Sequence, residues 1–397
     1  MIKNAHPLQV VKAVLATPQI ALAKPSVNWF FYRYLQKFKV KEIGGNLIIH
    51  SHLPPMNSRP YSRFIKEHLL AKSIAPSHAQ IAITNACPQH CEYCYNRNRT
   101  GQVMDKVTIL QTVRDLQELG VFWLGLTGGE PLLNKHIVEI VATAAERCAV
   151  KLFTTGCTLT KELAMDLKQA GLFSVSVSLD HTQEALHDQI RNYKGAFRTA
   201  LNAISTFKNV DGLHVGVSAV LSKEMLKQDK VEEFLQFLQG LDIHEAWLSE
   251  TKPSVAAFQR QEFIVTQEER ARLIQLQDQY SQQGKMTVNF LGHFEDERHF
   301  GCTAGHKMIY IDAFGEVSPC VFIPMSFGNI RENSLAEIYQ TMLQRFPSEK
   351  SCFMNKNYTT LLNHSKGSYP IDKGESIKLM DEIKFGPLAK FFSLQYQ

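Results

Sequence analysis

From residue 79 onward, short apolar runs alternate with longer stretches whose apolar residues recur every three or four positions. Ala79–Asn85 is apolar-rich and reads as a strand. Asp105–Leu119 carries Ile109, Val113 and Leu116 at helical spacing, with Asp105 placed to cap its start. Val121–Leu126, Val150–Thr155, Ser174–Leu179, Leu213–Leu221 and Glu245–Ser249 read as further strands. Lys135–Arg147, Lys161–Ala170, Ala196–Phe207, Val231–Leu238 and Gln267–Gln283 read as helices, and Gly171 stops the second of these. Alternation of this kind, repeated about six times, predicts a parallel sheet with right-handed crossovers. Chemistry in such folds gathers at the C-terminal ends of the strands. The pattern then changes: Lys307–Val317 reads as a hairpin turning at Phe314-Gly315, and a helix starts at Leu335. This looks like a small second domain of about 60 residues. Residues 1–78 read as a preface, and the last 40 residues carry no clear pattern.

Composition is that of an ordinary globular protein, with 44% hydrophobic and 20% charged residues. A net charge of +5 is too mild for a nucleic-acid binder, so none is expected. The excess sits at the front: residues 1–45 hold seven Lys or Arg and one acid, Glu42. No apolar run is long enough to span a bilayer. Val10–Ala23 is interrupted by Lys12, Pro18 and Gln19 and is not read as a signal sequence. Eight cysteines are too few for a disulfide scaffold at this length; their clustering points to metal binding in a reducing, cytoplasmic compartment.

Cys87, Cys91 and Cys94 follow the first strand as CxxxCxxC. Thiolates are soft ligands that suit zinc and iron–sulfur clusters. Three cysteines on a four-iron cluster would leave one iron open to a small molecule. The same trio, with His90, would also suit a structural zinc knuckle in a non-catalytic scaffold. Thr127-Gly128-Gly129-Glu130-Pro131 ends the second strand. Paired glycines allow close backbone approach, and Glu130 could accept a hydrogen bond from an ammonium group. Serines 174, 176 and 178 alternate along the fourth strand and share one face. Arg191 suits a carboxylate, or else forms a surface pair with Asp188.

CxxxCxxC with Tyr93 before its third cysteine, Gly-Gly-Glu-Pro at 128–131, and SxSxD…HDxxR…GxF running from Ser176 to Phe197 resemble the radical S-adenosylmethionine (SAM) superfamily, in its SPASM/twitch branch. The chain departs from the family's usual Thr-Asn-Gly by reading Thr154-Thr155-Gly156. The resemblance implies an α/β fold: a partial (β/α)6 barrel of the TIM type over 79–290, an N-terminal extension over 1–78, and a SPASM/twitch-like cluster domain with a tail over 291–397. It implies a [4Fe-4S] cluster on Cys87, Cys91 and Cys94, whose open iron binds SAM and whose electron cleaves it to a 5′-deoxyadenosyl radical. That radical would abstract hydrogen from an unactivated C–H bond. The expected SAM contacts are Tyr93, Gly128, Gly129, Glu130, Ser176, Ser178 and Arg191.

Cys302, Cys320 and Cys352, with Gly301-Cys302-Thr-Ala-Gly305 and Phe327-Gly-Asn-Ile330, resemble the accessory region of the same branch. Only three cysteines are available there, so at most one auxiliary cluster is expected, with its fourth position open or held by a different residue. Cys148 and Cys157 read as buried spectators, although Cys157, Tyr95 and Tyr310 are all candidates for quenching a radical. The resemblance implies a peptide or cofactor-precursor substrate, with a lipid or small metabolite as the alternative, and a flavodoxin or ferredoxin as electron donor. Trp29-Phe-Phe-Tyr-Arg-Tyr34 and Phe38, among Lys37, Lys39 and Lys41, would pack on the barrel, or touch a membrane surface in a membrane-peripheral protein.

Overall fold

The structure is a computed structural model that describes residues 3–70, 75–227, 229–347, 349–365 and 369–396. The preface is folded. Strands β1 (Lys3–Asn4), β2 (Lys41–Ile43) and β3 (Asn46–Ile48) form an antiparallel sheet, with helices α1 (Pro7–Leu15) and α2 (Pro25–Leu35) between the first two.

The second sheet is the frame of the molecule. Its strands are β4 (His78–Ala82), β5 (Trp123–Thr127), β6 (Ala149–Thr154), β7 (Leu172–Ser178), β8 (His214–Leu221), β9 (Glu245–Glu250), β10 (Thr287–Phe290), β11 (Met308–Ile311) and β12 (Val317–Ser318). Their order is β10-β9-β8-β7-β6-β5-β4-β11-β12, parallel throughout except for the β11–β12 pair. The six strands expected from the sequence, β4 to β9, are adjacent and in order. The sheet continues past both ends. β10 pairs with β9, and β11 pairs with β4 from Met308 opposite His78 to Ile311 opposite Ile81. The hairpin read as part of a separate domain is therefore hydrogen-bonded into the barrel sheet.

Local rules account for the elements. The Asp105 carboxylate accepts from the Thr108 amide at 2.8 Å and starts the helix Lys106–Leu119, which Gly120 ends at φ +115°. On β7, Val175 and Val177 join the main core, and the alternating serines lie on the opposite face. Ser174 meets the His214 ring at 2.9 Å there.

The preface and the far C-terminus close two openings. Residues 50–52 plug the N-terminal mouth: the Trp123 indole donates to the Ser51 carbonyl at 2.7 Å, and His52 stacks on Trp247 at 3.6 Å. The edges β10 and β12 do not pair, and Phe294 and Phe300, which follow β10, pack against α2. Its Phe31 reaches Phe64 at 6.0 Å and Phe300 at 6.3 Å. The tail is helical over Phe353–Ser365, Lys373–Glu382 and Lys390–Tyr396, and Phe391 of the last helix packs on Phe31 at 5.4 Å.

Candidate active site

Residues 85–104 form an irregular loop at the C-terminal end of β4, and the three cysteines lie on it. The loop is stapled to its surroundings. Asn96 donates to Asn85 at 2.8 Å and accepts from the Tyr310 hydroxyl of β11 at 3.1 Å. Arg99 pairs with Asp312 at 3.0 Å, both side chains buried. The sequence reading missed this pair, because its partners lie 213 residues apart.

The glycines of the 127–131 turn serve that loop. A Cβ on Gly128 would stand 2.2 Å from the Thr84 carbonyl oxygen, and one on Gly129 would stand 2.1 Å from that of Ala86. Gly128 also has φ +139°. The close approach is thus between two backbone segments, locked by Gly129 N–H to Thr84 at 2.8 Å and Glu130 N–H to Ala86 at 2.7 Å.

Glu130 was expected to receive an ammonium group. The structure places its side chain elsewhere: it is fully buried and already accepts from the Leu132 amide, the Thr154 hydroxyl, and the Thr155 amide and hydroxyl. Burial raises its carboxyl above the usual range, and these donors pull it back down. Four donors leave little acceptor capacity for a ligand, so the side chain acts as a clamp between the ends of β5 and β6.

A cavity of about 690 Å³ opens beneath the loop. Cys87, Cys91, Tyr93, Cys94, Gly128 and Gly129 line it, as do Ser178 and Arg191. Ser176 is buried and the cavity does not reach it. Arg191 is not on the surface, because Asp188 caps the Gly195 and Phe197 amides instead. Its Nε stands 2.7 Å from Asp180, and its guanidinium lies 5.7 Å from the Tyr93 ring centre. Asp180 also accepts from the Tyr93 hydroxyl at 2.6 Å and the Val220 amide at 2.9 Å. Burial would raise its carboxyl, but Arg191, His187 and these donors hold it below the ordinary range. The SxSxD pattern contained Asp180, but only the fold shows that it fixes Arg191 and Tyr93 together.

The thiols are poised for metal rather than for exposed nucleophilic work. Burial pushes Cys87 up to about 12 and raises Cys91 despite the Arg191 charge. Such thiols stay protonated until a metal displaces the proton. No set of three or more His, Cys, Asp or Glu among the described residues is drawn close enough to hold a single metal ion, and His90 is exposed. A cubane cluster sets different demands: its thiolates sit on separate iron corners and stand farther apart than the ligands of one ion. Three free thiols side by side on one cavity fit it. Arg191 Nε is taken by Asp180 at 2.7 Å, and the guanidinium lines the cavity, where its terminal nitrogens suit an arriving carboxylate.

Cys302 and Cys320 line the same cavity. Cys352 accepts from the Lys252 ammonium at 3.4 Å. Lys252 also holds Glu250 at 2.7 Å and Glu295 at 2.6 Å. All three thiols are raised by burial first; Glu295 comes next for Cys302 and Cys352, and follows Cys352 for Cys320. The sequence reading named the cysteines but not Glu295, the acid nearest to being common to them. Of the radical-quenching candidates, Tyr95 lines the cavity, while Cys157 and Tyr310 do not. Cys148 is buried on the Val121 carbonyl.

The family model of the radical SAM superfamily matches residues 81–238, and that of the SPASM iron–sulfur cluster-binding domain matches residues 302–358. The chain belongs to the radical SAM superfamily. This radical SAM enzyme uses a [4Fe-4S] cluster and SAM, and its SPASM domain is an auxiliary cluster-binding domain. The AdoMet-dependent heme synthase of Methanosarcina barkeri is 25% identical over 295 residues, covering 68% of this chain and 84% of that one. The PqqA peptide cyclase of Bradyrhizobium diazoefficiens is 27% identical over 285 residues, covering 66% and 72%. Among solved structures, Streptococcus suis SuiB bound to its precursor peptide SuiA superposes with a TM-score of 0.58 at 16% identity, covering 82% and 83%. That likeness establishes the fold alone. No helix among the described residues is long and apolar enough to cross a membrane.

Proposed function

We propose that Cys87, Cys91 and Cys94 hold the SAM-cleaving cluster, that Cys302, Cys320 and Cys352 hold one auxiliary cluster, and that the substrate is a peptide. The observation that carries this reading is that Cys87, Cys91 and Cys94 share one cavity with Cys302 and Cys320, and that Cys352 meets Lys252 of its wall. When bound, the catalytic cluster supplies the electron that cleaves SAM to the radical. The protein's own residues do the rest. Arg191, fixed by Asp180, would pair with the SAM carboxylate. Tyr93 and Ser178 line the approach, and Gly128 and Gly129 offer backbone there. Aromatic walls exclude water, with Trp247, Phe294 and Phe322 among the lining residues. A flavodoxin- or ferredoxin-type protein would deliver the electron.

The peptide reading draws support from the PqqA cyclase, and from the sporulation killing factor maturation protein SkfB of Bacillus subtilis, 27% identical over 273 residues. The heme synthase relative favours a second reading, a cofactor precursor. The test is anaerobic reconstitution with iron and sulfide, followed by dithionite and SAM. Deoxyadenosine should form, with about eight irons per chain falling to about four in Cys87→Ala/Cys91→Ala/Cys94→Ala, which should form none. About four irons falling to none would remove the auxiliary cluster. A precursor peptide encoded beside the gene should lose hydrogen mass in the same reaction; loss from a porphyrin precursor alone would select the second reading.

A further inference from the structure

Sixteen large apolar side chains are exposed among the described residues, and seven of them fall within the 25 residues from Leu8 to Tyr32. Single exposed apolar residues are normal; a concentration marks an interaction site. On α1, Leu8, Val11 and Leu15 recur at helical spacing on one stripe, opposite the buried Ala13. A solvated helix would carry polar residues on that stripe. Leu22 follows at 78% exposure, and Trp29 and Tyr32 stack on the outside of α2 with ring centres 5.4 Å apart.

The charge on this segment is of one sign. Lys3, Lys12, Lys24, Arg33 and Lys39 are exposed, and no Asp or Glu occurs before Glu42. A two-fold dimer through this face would bring like charges together. Apolar residues with an interfacial Trp and a rim of Lys and Arg match an anionic lipid surface instead. We infer that residues 3–39 dock the enzyme on an anionic membrane surface. The inference does not depend on the peptide reading. The opposite face of α2 presents Phe31 and Tyr34 to the cavity, so docking brings the bilayer within one helix of the active site.

The experiment is flotation of the reconstituted full-length protein with vesicles of phosphatidylcholine alone, or of phosphatidylcholine with phosphatidylglycerol. Binding to the anionic vesicles is expected, weakening as salt is raised. Leu15→Ser/Leu22→Ser/Trp29→Ser should reduce it at least about tenfold. Lys12→Gln and Arg33→Gln should each reduce it about fivefold. Circular dichroism and deoxyadenosine formation in solution should not change, because these side chains lie outside the core and the cavity. Full-length protein that stays with the soluble fraction overturns the inference, and so does binding that the triple variant keeps in full. A dimer that the triple variant converts to monomer, with no vesicle binding by either, would assign the face to self-association instead.

Discussion

The two ends of the barrel both bury charge, and they treat it differently. At the N-terminal mouth the buried charge is matched within the protein, although Asn289 Oδ1 has no partner. Glu245 accepts from the Ser51 amide at 2.8 Å, the Ser51 hydroxyl at 2.9 Å and Asn289 at 2.8 Å. Lys151 donates to the Ser51 hydroxyl at 2.5 Å and lies 4.9 Å from the Phe153 ring centre and 5.3 Å from that of Trp247. At the C-terminal mouth Asp180 matches Arg191 at 2.7 Å, but Cys87, Cys91 and Cys94 stand together on the cavity, and burial raises Cys87 and Cys91. The difference teaches where to look for chemistry. Buried charge alone marks structure as often as function, whereas thiols gathered on a cavity wall mark the place a metal centre completes.

A matched pair of substitutions would test that contrast most strongly. Arg191→Ala and Glu245→Ala each strand a buried opposite charge, and each should cost about 3–5 kcal/mol in urea unfolding. Only Arg191→Ala should also weaken SAM binding to the reconstituted protein, read by titration calorimetry. Equal loss of SAM binding in both would erase the distinction between the two ends.

Acid should open the N-terminal mouth. Burial, helped by Lys151, lowers His50 to about 3, and burial lowers His78 to about 4. The unfolded chain takes up these protons near pH 6.5, so between that pH and the folded values it binds more protons and stability falls as pH drops. Each ring should cost about 2 kcal/mol at pH 5 relative to pH 8. Lys151, lowered to about 8 mainly by burial, acts with the same sign at the other end of the scale, so stability should rise from pH 8 towards 10.5. Amide protection factors over residues 41–52, corrected for the intrinsic exchange rate, that fail to fall at pH 5 would contradict this. The smallest effect expected is at the clamp: Thr154→Val takes one donor from Glu130 and should lower stability by about 1–2 kcal/mol, with deoxyadenosine formation largely kept.

The two cysteine sets show how unevenly a site can be read from sequence. Cys87, Cys91 and Cys94 sit within one loop, so their spacing alone announces a metal centre. Cys302, Cys320 and Cys352 span 51 residues, and only the packing of β11, the tail helices and Lys252 brings them into one neighbourhood. Glu130 was legible as part of a motif but not as a clamp, because the hydroxyls that saturate it come from the next strand. Tyr93, Asp180 and Arg191 were all legible in motifs, yet their mutual contact was not.

The sequence by itself determined the repeating strand–helix frame, since side-chain periodicity and capping act over a few residues. It also determined the thiol loop and the glycine turn, whose chemistry is local. Tertiary structure decided what depends on distant partners: the joining of β11 to β4, the plug of residues 50–52, the Arg99–Asp312 staple and the outward face of α1 and α2. Burial and charge pairing are properties of three-dimensional neighbours, and a linear pattern carries them only when those neighbours are also near in the chain.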